Sequence, residues 1–263
     1  MIKFCTLASS SSGNCVYVQC DQDALLIDCG LSARMTLSLL EQNRLEANAI
    51  RGICITHEHS DHIKGIKVLQ KKLNVPVMAS QGTINALQDQ LFETPQHMLI
   101  PVDTSFFIGN MEVQPFRLSH DAAEPFGYRV FTRYGSVAVC TDTGIFSKDI
   151  LNELSGCDCV LLESNHDLNM LQDNPAYPAA LKKRIAGRCG HLNNRQSAEA
   201  AALLYQEGTR HFLLGHLSPH NNTPAAAYDA VKAGLEEAGA VIGEDVGLYV
   251  APQGNASPVL IRR

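Results

Sequence analysis

A segment of seven residues, 56–62 (THEHSDH), concentrates side chains that can bind a metal. We call it the metal-binding segment. Its pattern, His-x-His-x-Asp-His, places four donors within six positions: His57, His59, Asp61 and His62. Crowding three imidazoles and a carboxylate together costs desolvation energy, which a bound divalent metal offsets. The segment follows an apolar run, 53–55, and precedes apolar residues at helical spacing. It therefore predicts a metal site on a strand-to-helix turn.

Four more ionisable residues follow predicted strands elsewhere in the chain, and they are Asp28, His120, Asp142 and His216. If a second metal binds about 3.5–4 Å from the first, the pair needs a bridging oxygen, and a carboxylate bridges better than a neutral imidazole. Asp142 stands among small residues in 141–144 (TDTG), which favours close approach. A water between the two metals would be largely hydroxide near neutral pH, so no serine or cysteine nucleophile is needed.

The composition is that of a globular protein, with 263 residues and 45% hydrophobic side chains. The formal net charge of −6 neither indicates nor excludes a nucleic-acid partner. Nine cysteines contain no C-x-x-C pair, which favours reduced, mostly buried thiols. The apolar start of the chain is too short for a signal-peptide core, and no run reaches the ~18 apolar residues of a membrane span. We therefore predict a soluble, cytoplasmic protein with no membrane partner.

Strands and helices alternate along the chain without a linker or a repeat. The apolar runs come in two batches with helices interspersed, which predicts a single α/β domain over residues 1–263, with two sheets and helices outside them. We expect hairpin turns at 13–14 and 109–110, both Gly-Asn. We also expect one helix after the metal-binding segment, a strand that runs from 111 to 120, and an alanine-rich helix over 196–206.

The metal-binding segment resembles the signature of the metallo-β-lactamase fold superfamily, and the other four candidates occur in that family's order. The resemblance covers about residues 1–220 and implies an αββα four-layer sandwich with two metals between the sheet edges. It implies a first metal held by His57, His59 and His120, a second held by Asp61, His62 and His216, and a bridge from Asp142. It also implies that Asp28 orients a ligand through a hydrogen bond.

The fold alone does not choose among the β-lactam, thioester, lactone and phosphodiester hydrolases of this superfamily. An aspartate at 142, 22 residues after His120, resembles the phosphodiesterase branch that includes RNase Z, whereas β-lactamases often carry a cysteine there. Flavodiiron proteins carry a glutamate where His59 stands. RNase Z-like nucleases also have a histidine before a helix, which implies that His191 protonates the leaving oxygen; the alternative is a residue hydrogen-bonded locally at the helix start.

Several short strings are similar to the bacterial YycJ (WalJ) subfamily, which is associated with exonuclease activity on DNA, often described as 5′ to 3′. They are 8–14 (ASSSSGN), 56–62 (THEHSDH), 120–122 (HDA), 163–167 (ESNHD), 190–194 (GHLNN) and 216–222 (HLSPHNN). Asn193 departs from the subfamily pattern, in which a serine is expected. If that serine binds phosphate, the amide must substitute for it through its NH₂ group.

Other polar residues are candidates for phosphate binding. Residues 9–14 either wrap a phosphate with hydroxyl and backbone N–H groups or form a polar hairpin turn. His166 follows a predicted strand and either enters the site or lies on the surface. The candidates are Ser10, Ser11, Ser12, Asn14, His166 and Asn193. Basic residues at 182–184, 188 and 195 flank His191 and either steer a nucleic-acid backbone or form a solvated face.

We predict a dinuclear-metal-dependent phosphodiesterase, a DNA exonuclease that uses a metal-bridging hydroxide as nucleophile, with Asp61 and His191 as catalytic residues. Histidine and carboxylate ligands suit two divalent ions, Zn²⁺ or Mn²⁺, and iron as well. The expected partner is a nucleic acid, DNA by resemblance. The alternatives are a hydrolase of a small ester, thioester or lactam, an RNA-processing nuclease, and a metal-dependent binding protein without catalysis.

Overall fold

The computed structural model describes residues 1–91, 95 and 98–262 of the chain. The chain divides into two compact units. Unit 1 consists of Met1–Arg117, Ala122–Gly135 and Pro252–Arg263, and unit 2 consists of Leu118–Asp121 and Ser136–Ala251. Four of the seven metal-ligand candidates, residues 57, 59, 61 and 62, belong to unit 1, and the other three, residues 120, 142 and 216, belong to unit 2.

A seven-stranded sheet forms much of unit 1. Numbered in chain order, its strands are β1 (Ile2–Ser10), β2 (Gly13–Cys20), β3 (Asp23–Ile27), β4 (Ile50–Cys54), β5 (Val77–Ala79), β6 (Leu99–Pro101) and β14 (Leu260–Arg262). Their order in the sheet is β14-β1-β2-β3-β4-β5-β6. Antiparallel pairing joins β14, β1, β2 and β3, and parallel pairing joins β3, β4, β5 and β6. Because β3 and β4 are parallel neighbours, Asp28 and the metal-binding segment follow them at the same sheet edge.

Three further strands of unit 1 are antiparallel neighbours, namely β7 (Phe106–Ile108), β8 (Met111–Arg117) and β9 (Phe126–Thr132). The turn between β7 and β8 is the predicted Gly-Asn turn, and Gly109 there has a φ of 57°, which glycine adopts at no steric cost. The prediction that β8 runs on to residue 120 is wrong. The next residues belong to unit 2, where the Ser119 N–H donates to Thr143 Oγ1 at 3.2 Å instead of to a strand.

The helices of unit 1 are α1 (Ala33–Gln42), α2 (Ser60–Ile63), α3 (Ile66–Leu73) and α4 (Gln81–Leu91), with a short 3-10 turn at Ala47–Ala49. The first begins at its N-cap Ser32, whose side chain accepts from the Met35 N–H. Their apolar faces and the sheet bury one hydrophobic core, whose fully buried members include Leu7, Tyr17, Leu26, Leu40, Ile53 and Ile55.

Two local predictions for unit 1 are wrong, and both errors have a backbone cause. The helix expected after the metal-binding segment is split at Gly65. The Gly65 N–H donates to the Cys29 carbonyl at 2.8 Å instead of continuing the helix. Gly65 also packs so closely on Leu31 that a Cβ at position 65 would overlap the Leu31 carbonyl oxygen. The first hairpin turns at residues 11–12 instead of 13–14, because Ser10 already pairs with Gly13 across the two strands.

Unit 2 is built on four parallel strands that lie side by side in the order β10 (Gly135–Cys140), β11 (Cys159–Glu163), β12 (His211–Gly215) and β13 (Gly247–Val250). Every residue of β11 is buried, as expected for a strand covered on both faces. The register pairs Glu163 with Gly215, so Glu163 lies beside the residue that precedes His216. The carboxyl ends of parallel strands meet at one edge, which gathers Asp142, Glu163 and His216 there.

The helices of unit 2 are α5 (Lys148–Leu154), α6 (Leu168–Asp173), α7 (Ala179–Ile185), α8 (Asn194–Gln206) and α9 (Pro224–Glu237). The alanine-rich helix α8 starts two residues earlier than predicted because Asn193 and Gln196 form a capping box. Asn193 Oδ1 accepts from the Gln196 N–H at 2.9 Å, and Gln196 Oε1 accepts from the Asn193 N–H at 3.0 Å. Helices α5 and α6 were not predicted, because their lengths of 7 and 6 residues give too little periodicity to detect.

Strands and helices alternate in both units, so the predicted mixed α/β fold class is confirmed. Within the described part of the chain, no helix combines the length and the apolar character needed to cross a membrane.

Candidate metal centre

The metal-binding segment collects its donors in a small volume of unit 1. The ring centroids of His57 and His59 are 4.6 Å apart, and those of His57 and His62 are 4.1 Å apart. Asp61 Oδ2 lies 3.4 Å from His62 Nε2. Helix α2 begins at Ser60, so the segment leaves β4 as a turn and places Asp61 and His62 in the first helical turn. The four donors of the segment therefore lie together, two of them on the turn and two on the helix.

Asp28 fixes the orientation of this group through hydrogen bonds. Its Oδ2 lies 2.8 Å from His62 Nδ1, and its Oδ1 accepts from the Thr56 N–H at 2.8 Å and from the Thr56 hydroxyl at 3.0 Å. Thr56 Oγ1 in turn lies 3.0 Å from His57 Nδ1. A carboxylate only accepts, so His62 carries its proton on Nδ1 and its lone pair on Nε2, the form that binds a metal.

Gly30 allows the chain after β3 to approach the segment closely. The Cys29 N–H donates to the His62 carbonyl at 2.7 Å, and a Cβ on Gly30 would overlap the carbonyl oxygen of Asp61 and crowd the Asn14 nitrogen. Only a residue without a side chain fits there. The glycine at position 30 is therefore a packing requirement for the position of Asp61.

Four side chains of unit 2 converge at the carboxyl edge of its strands. One donor atom from each of Asp142, Glu163, His191 and His216 lies within 4.8 Å of the others. Asp142 Oδ1 is 3.4 Å from His216 Nε2 and 3.7 Å from His191 Nδ1. The side chains of Asp142 and His216 are buried, whereas that of His191 is 20% exposed to solvent and is accessible to a substrate.

Glu163 is the centre of hydrogen bonding in this cluster. Its Oε1 accepts from Nδ1 of His191 at 2.8 Å and of His216 at 2.9 Å, and its Oε2 accepts from the N–H groups of Thr143 at 3.0 Å and Leu192 at 3.1 Å. Burial raises the pKa of the Glu163 carboxyl, but the charges and hydrogen bonds of His191 and His216 outweigh burial and hold that pKa well below its usual range. Glu163 is therefore an ionised acceptor, and both rings carry a proton on Nδ1.

His120 belongs to the same unit and is held by a backbone oxygen. Its Nδ1 donates to the Gly190 carbonyl at 3.1 Å, and its Nε2 lies 3.9 Å from Asp142 Oδ1. Its ring centroid is 5.0 Å from that of His191. Burial lowers the pKa of His120, and the Asp142 carboxylate offsets only part of that effect. The imidazole is therefore neutral at neutral pH, which is the form that binds metals.

The donors of each unit suit a divalent metal. Neutral imidazoles and carboxylates are the ligands that Zn²⁺, Mn²⁺ and iron accept. In His62, His120 and His216 an oxygen acceptor binds Nδ1, which fixes the tautomer whose Nε2 lone pair can coordinate. The donor chemistry of the described residues therefore fits the predicted metal-binding role.

Asp28, Asp142 and His216 share an unusual backbone conformation, with φ angles of 65°, 63° and 58°. Asp28 and His216 directly follow β3 and β12, and Asp142 follows β10 by two residues. Non-glycine residues are uncommon in this left-handed region, where aspartate, asparagine and histidine are enriched. Hydrogen bonding supports the conformation, since Asn165 Nδ2 donates to the His216 carbonyl at 2.9 Å. Asp28 and His216 therefore make a sharp turn directly at a strand end, and Asp142 makes one just beyond its strand.

Comparison with known proteins agrees with this arrangement. The family model described as a β-lactamase superfamily domain matches residues 24–217. The exodeoxyribonuclease YycJ of Bacillus anthracis is 40% identical over 245 residues, which cover 92% of this chain and 92% of that protein. The exodeoxyribonuclease WalJ of Streptococcus pneumoniae is 33% identical over 261 residues, which cover 98% of this chain and 97% of that protein. The chain belongs to the YycJ/WalJ family of the β-lactamase superfamily.

This YycJ/WalJ family member has the same fold as a protein of solved structure. The metallo-β-lactamase fold protein YhfI from Bacillus subtilis matches it with a TM-score of 0.72 over 97% of this chain and 98% of that one, at 16% identity. The prediction of the metallo-β-lactamase fold is therefore confirmed. The predicted enzyme class, a metal-dependent hydrolase, is confirmed by membership of the family together with the donor sets of the two units.

In the structure of this YycJ/WalJ family member, Ser10 is the last residue of β1, and Ser11 and Ser12 form the turn to β2. Ser10 Oγ lies 2.8 Å from Ser12 Oγ and accepts from the Ser12 N–H at 3.2 Å. Asn14 lies closer to the ligands, because its Nδ2 donates to His62 Nε2 at 3.1 Å and to Asp61 Oδ2 at 3.3 Å. Asn14 thus joins the ligand group of unit 1. Phosphate binding by these residues stays a prediction.

His166 and Asn193 lie next to each other in unit 2, where they form a short parallel bridge. His166 is fully buried, so the alternative that it lies on the surface is wrong. Burial lowers the pKa of His166 to about 4, so its ring is neutral. The Asn193 oxygen caps α8, which leaves its NH₂ group as the part that could contact a phosphate. Phosphate binding by either residue stays a prediction.

Glu163 was not predicted as a functional residue, although it lies within a string that resembles the family. A signal was present in the chain, because residues 159–163 (CVLLE) form an apolar strand that ends in a carboxylate. A buried carboxylate needs partners. The sequence did not show that those partners are two histidines 28 and 53 residues further along the chain.

Proposed function

We propose that this chain is a metal-dependent exonuclease that hydrolyses the phosphodiester bonds of DNA from the 5′ end. Relatives named exodeoxyribonucleases match it over nearly their whole length, which supports a nuclease. The observation that carries the proposal is the pair formed by His191 Nδ1 and Glu163 Oε1, 2.8 Å apart, beside Asp142. The sugar oxygen that leaves from a DNA phosphodiester is strongly basic and needs a proton, which a histidine in that position can give.

We propose that the seven candidates bind two divalent ions, as the family pattern implies. His57, His59 and His120 would hold one ion, Asp61, His62 and His216 the other, and Asp142 would bridge them. Metals so held polarise a phosphate and lower the pKa of a bound water. Support comes from each unit separately, since the Nδ1 atoms of His62, His120 and His216 are bound to oxygen acceptors.

His191 would act as the general acid of this reaction. Because Glu163 binds the Nδ1 proton of His191, the opposite nitrogen, Nε2, is the atom that can give a proton to the leaving oxygen. The carboxylate also stabilises the doubly protonated ring before the transfer. Glu163 acts through His191 and is a positioning residue, and its two backbone donors keep its own carboxylate fixed.

The chain also offers groups that would hold the DNA strand. Ser10, Ser11, Ser12 and Asn14 in unit 1, with His166 and Asn193 in unit 2, are the proposed phosphate contacts. The last turn of α7 is basic, and its residues, together with two arginines nearby in the chain, would attract the backbone: Lys182, Lys183, Arg184, Arg188 and Arg195. Arg184 Nε is held by Asp121 Oδ2 at 2.5 Å, which orders one of these cations.

Digestion of end-labelled strands tests the proposal. The protein, loaded separately with Zn²⁺, Mn²⁺ and Fe²⁺, is incubated with single- and double-stranded DNA and with RNA of the same sequence. A 5′ label is expected in mononucleotides at the earliest times, while a 3′ label stays on shortening strands. Asp142→Asn, which tolerates the left-handed backbone, is the control and should lose both metal and activity.

Three outcomes would contradict the proposal. Digestion of RNA alone would make the chain an RNA-processing nuclease. Hydrolysis of a thioester or a β-lactam without any cleavage of nucleic acid would make it a small-molecule hydrolase. Release of the 3′ label first would reverse the proposed polarity.

We also propose that residues 1–263 act as one hydrolase domain in the cytoplasm. All nine cysteines are free thiols, and eight of them are buried, which suits a reducing compartment. A single cooperative unfolding transition, seen alike by circular dichroism and by tyrosine fluorescence, is the expected result for one domain. Two separate transitions would argue for two domains.

A further inference from the structure

A groove on the surface of unit 2 is separate from every proposed metal ligand. Met170, Asp173, Asn174, Pro175, Tyr177 and His220 line it, and its volume is about 460 Å³, within the range of ligand pockets. The rings of Tyr177 and His220 have centroids 6.3 Å apart at an interplanar angle of 66°. Met170 and His220 are exposed, and Tyr177 is half-buried. The groove thus presents two aromatic rings and an apolar wall to solvent.

Hydrogen bonds hold the two sides of the groove together. One side is the loop between α6 and α7, and the other is the loop after His216. Asn174 Nδ2 donates to Asn221 Oδ1 at 2.6 Å, and the Asp167 N–H donates to the Asn221 carbonyl at 2.8 Å. Asn174 Oδ1 also accepts from the Ala176 N–H at 2.9 Å, which shapes the turn before Tyr177. The groove is therefore formed before a ligand arrives, which lowers the entropic cost of binding.

The position of His220 in the chain relates the groove to the metal-ligand candidates of unit 2. His220 is four residues after His216, so their Cα atoms are at most ~14 Å apart. A ligand in the groove therefore lies within the length of strand that a nuclease holds near its reacting phosphate.

We propose that this groove binds a nucleobase of the DNA strand, by stacking on the Tyr177 ring with His220 at the edge of the base, a few nucleotides from the cleaved bond. The inference rests on the proposed function. Every nucleobase has a π-face, so stacking on an aromatic ring holds a strand without reading its sequence. The edge of the base would meet Asp173 and Asn174, which offer a carboxylate acceptor and an amide for its amino and carbonyl groups.

The charges around the groove favour a base inside it and phosphates outside it. The Asp173 carboxylate repels a phosphate, so an anion is a poor occupant. Cations lie directly beside the groove, because Lys182 Nζ donates to the carbonyl of Gln172 at 2.5 Å, one residue before Asp173. Lys183 lies in the same basic turn of α7. The backbone of the strand would follow these lysines while one base turns into the groove.

A single-tryptophan variant tests the inference directly, since the natural chain has no tryptophan. In Tyr177→Trp the only indole lies in the groove and retains a stacking surface. Titration of the metal-loaded variant with a phosphorothioate-linked single-stranded oligonucleotide, which resists cleavage, should quench its fluorescence to saturation. An abasic oligonucleotide of the same length and charge should leave the fluorescence nearly unchanged. Tyr249→Trp, at an exposed tyrosine that does not line the groove, is the matched control.

Kinetics of side-chain removal supply the second readout. Tyr177→Ala should raise the KM for single-stranded DNA about 5- to 150-fold, the equivalent of about 1–3 kcal/mol for one stacked base. Its kcat on DNA should change little, and its turnover of bis(4-nitrophenyl) phosphate, which has no base, should equal that of the natural protein. Tyr177→Phe should restore the KM because it restores the ring.

Any of three other outcomes would overturn the inference. Equal losses on both substrates would show a structural role for Tyr177. An unchanged KM, or quenching by the abasic strand as strong as by DNA, would remove base stacking. Saturable quenching by an apolar peptide but not by DNA would make the groove a protein-binding site. In all these cases the natural protein would still digest DNA, so the proposed function would stand; failure of the natural protein to digest DNA would remove that function instead.

Discussion

His191 Nδ1 donates to Glu163 Oε1 at 2.8 Å, so the partly exposed His191 ring is held by the buried Glu163 carboxylate. The same oxygen accepts from His216 Nδ1 at 2.9 Å. One carboxylate therefore orients both the proposed proton donor and a proposed metal ligand. A change at Glu163 is expected to affect metal binding and proton transfer together, whereas changes at the two histidines should separate them.

Replacement of Glu163 by glutamine keeps its size and removes its charge. We expect a loss of about 10- to 100-fold in metal affinity or in turnover, because a neutral amide holds the two Nδ1–H groups less firmly. Metal content after dialysis and kcat on DNA measure the two effects. Glu199→Gln, at a side chain with 62% exposure, should behave like the natural protein. Normal metal affinity and normal kcat in Glu163→Gln would show that the hydrogen bonds are dispensable.

Removal of the His191 ring should affect substrates according to their leaving groups. His191→Ala is expected to keep its metal and to lose about 10²- to 10⁴-fold in kcat on DNA, whose leaving oxygen needs a proton. The loss on bis(4-nitrophenyl) phosphate should be much smaller, because nitrophenolate leaves without protonation. Parallel assays on both substrates, with metal analysis of the same preparation, provide the measurement. Equal losses on the two substrates would exclude a general-acid role.

Asp28→Asn isolates the charge of the residue that orients His62. Asparagine tolerates the left-handed backbone at this position, where φ is 65°, so the fold should be retained. The amide is a weaker partner for His62 Nδ1, and we expect metal affinity to fall by about 10- to 100-fold. Competition with a chelator of known affinity measures the change. An unaltered affinity would mean that Thr56 alone is sufficient to orient the segment.

Gly30→Ala tests the close backbone approach beside Asp61. The added methyl group overlaps the Asp61 carbonyl, so we expect a loss of about 1–3 kcal/mol in the free energy of unfolding and weaker metal uptake. Urea denaturation with and without added metal measures both. At Gly254 a Cβ would meet nothing within 4 Å, so Gly254→Ala should be neutral. If both variants unfold alike, the contact at Gly30 does not constrain the segment.

The sequence predicts well those parts of the site that short-range patterns determine. The spacing of His57, His59, Asp61 and His62 needs only one turn to bring the donors together, and that turn is present. Strand ends were also predictable, because an apolar run that meets a polar residue marks a sheet edge. The hairpin at 109–110 follows from glycine at a position with positive φ.

Features that depend on distant contacts were not predictable. Nothing near residue 163 indicates that its carboxylate would accept from rings at 191 and 216, since that contact requires the parallel register of β11 and β12. The split at Gly65 and the end of β8 at Arg117 have the same origin, because each is set by a partner far away in the chain. The groove beside His220 likewise depends on hydrogen bonds between two loops.

The left-handed turns at Asp28, Asp142 and His216 have a consequence for how such a site can evolve. Apart from glycine, the amino acids that tolerate this conformation best are aspartate, asparagine and histidine. Aspartate and histidine are also common metal ligands. Valine, isoleucine or threonine would add backbone strain to the loss of a donor. The backbone thus narrows the set of amino acids available at these positions before any metal imposes its own preference. Saturation mutagenesis there should recover aspartate, asparagine, histidine and glycine among the folded variants, even when selection is for stability alone.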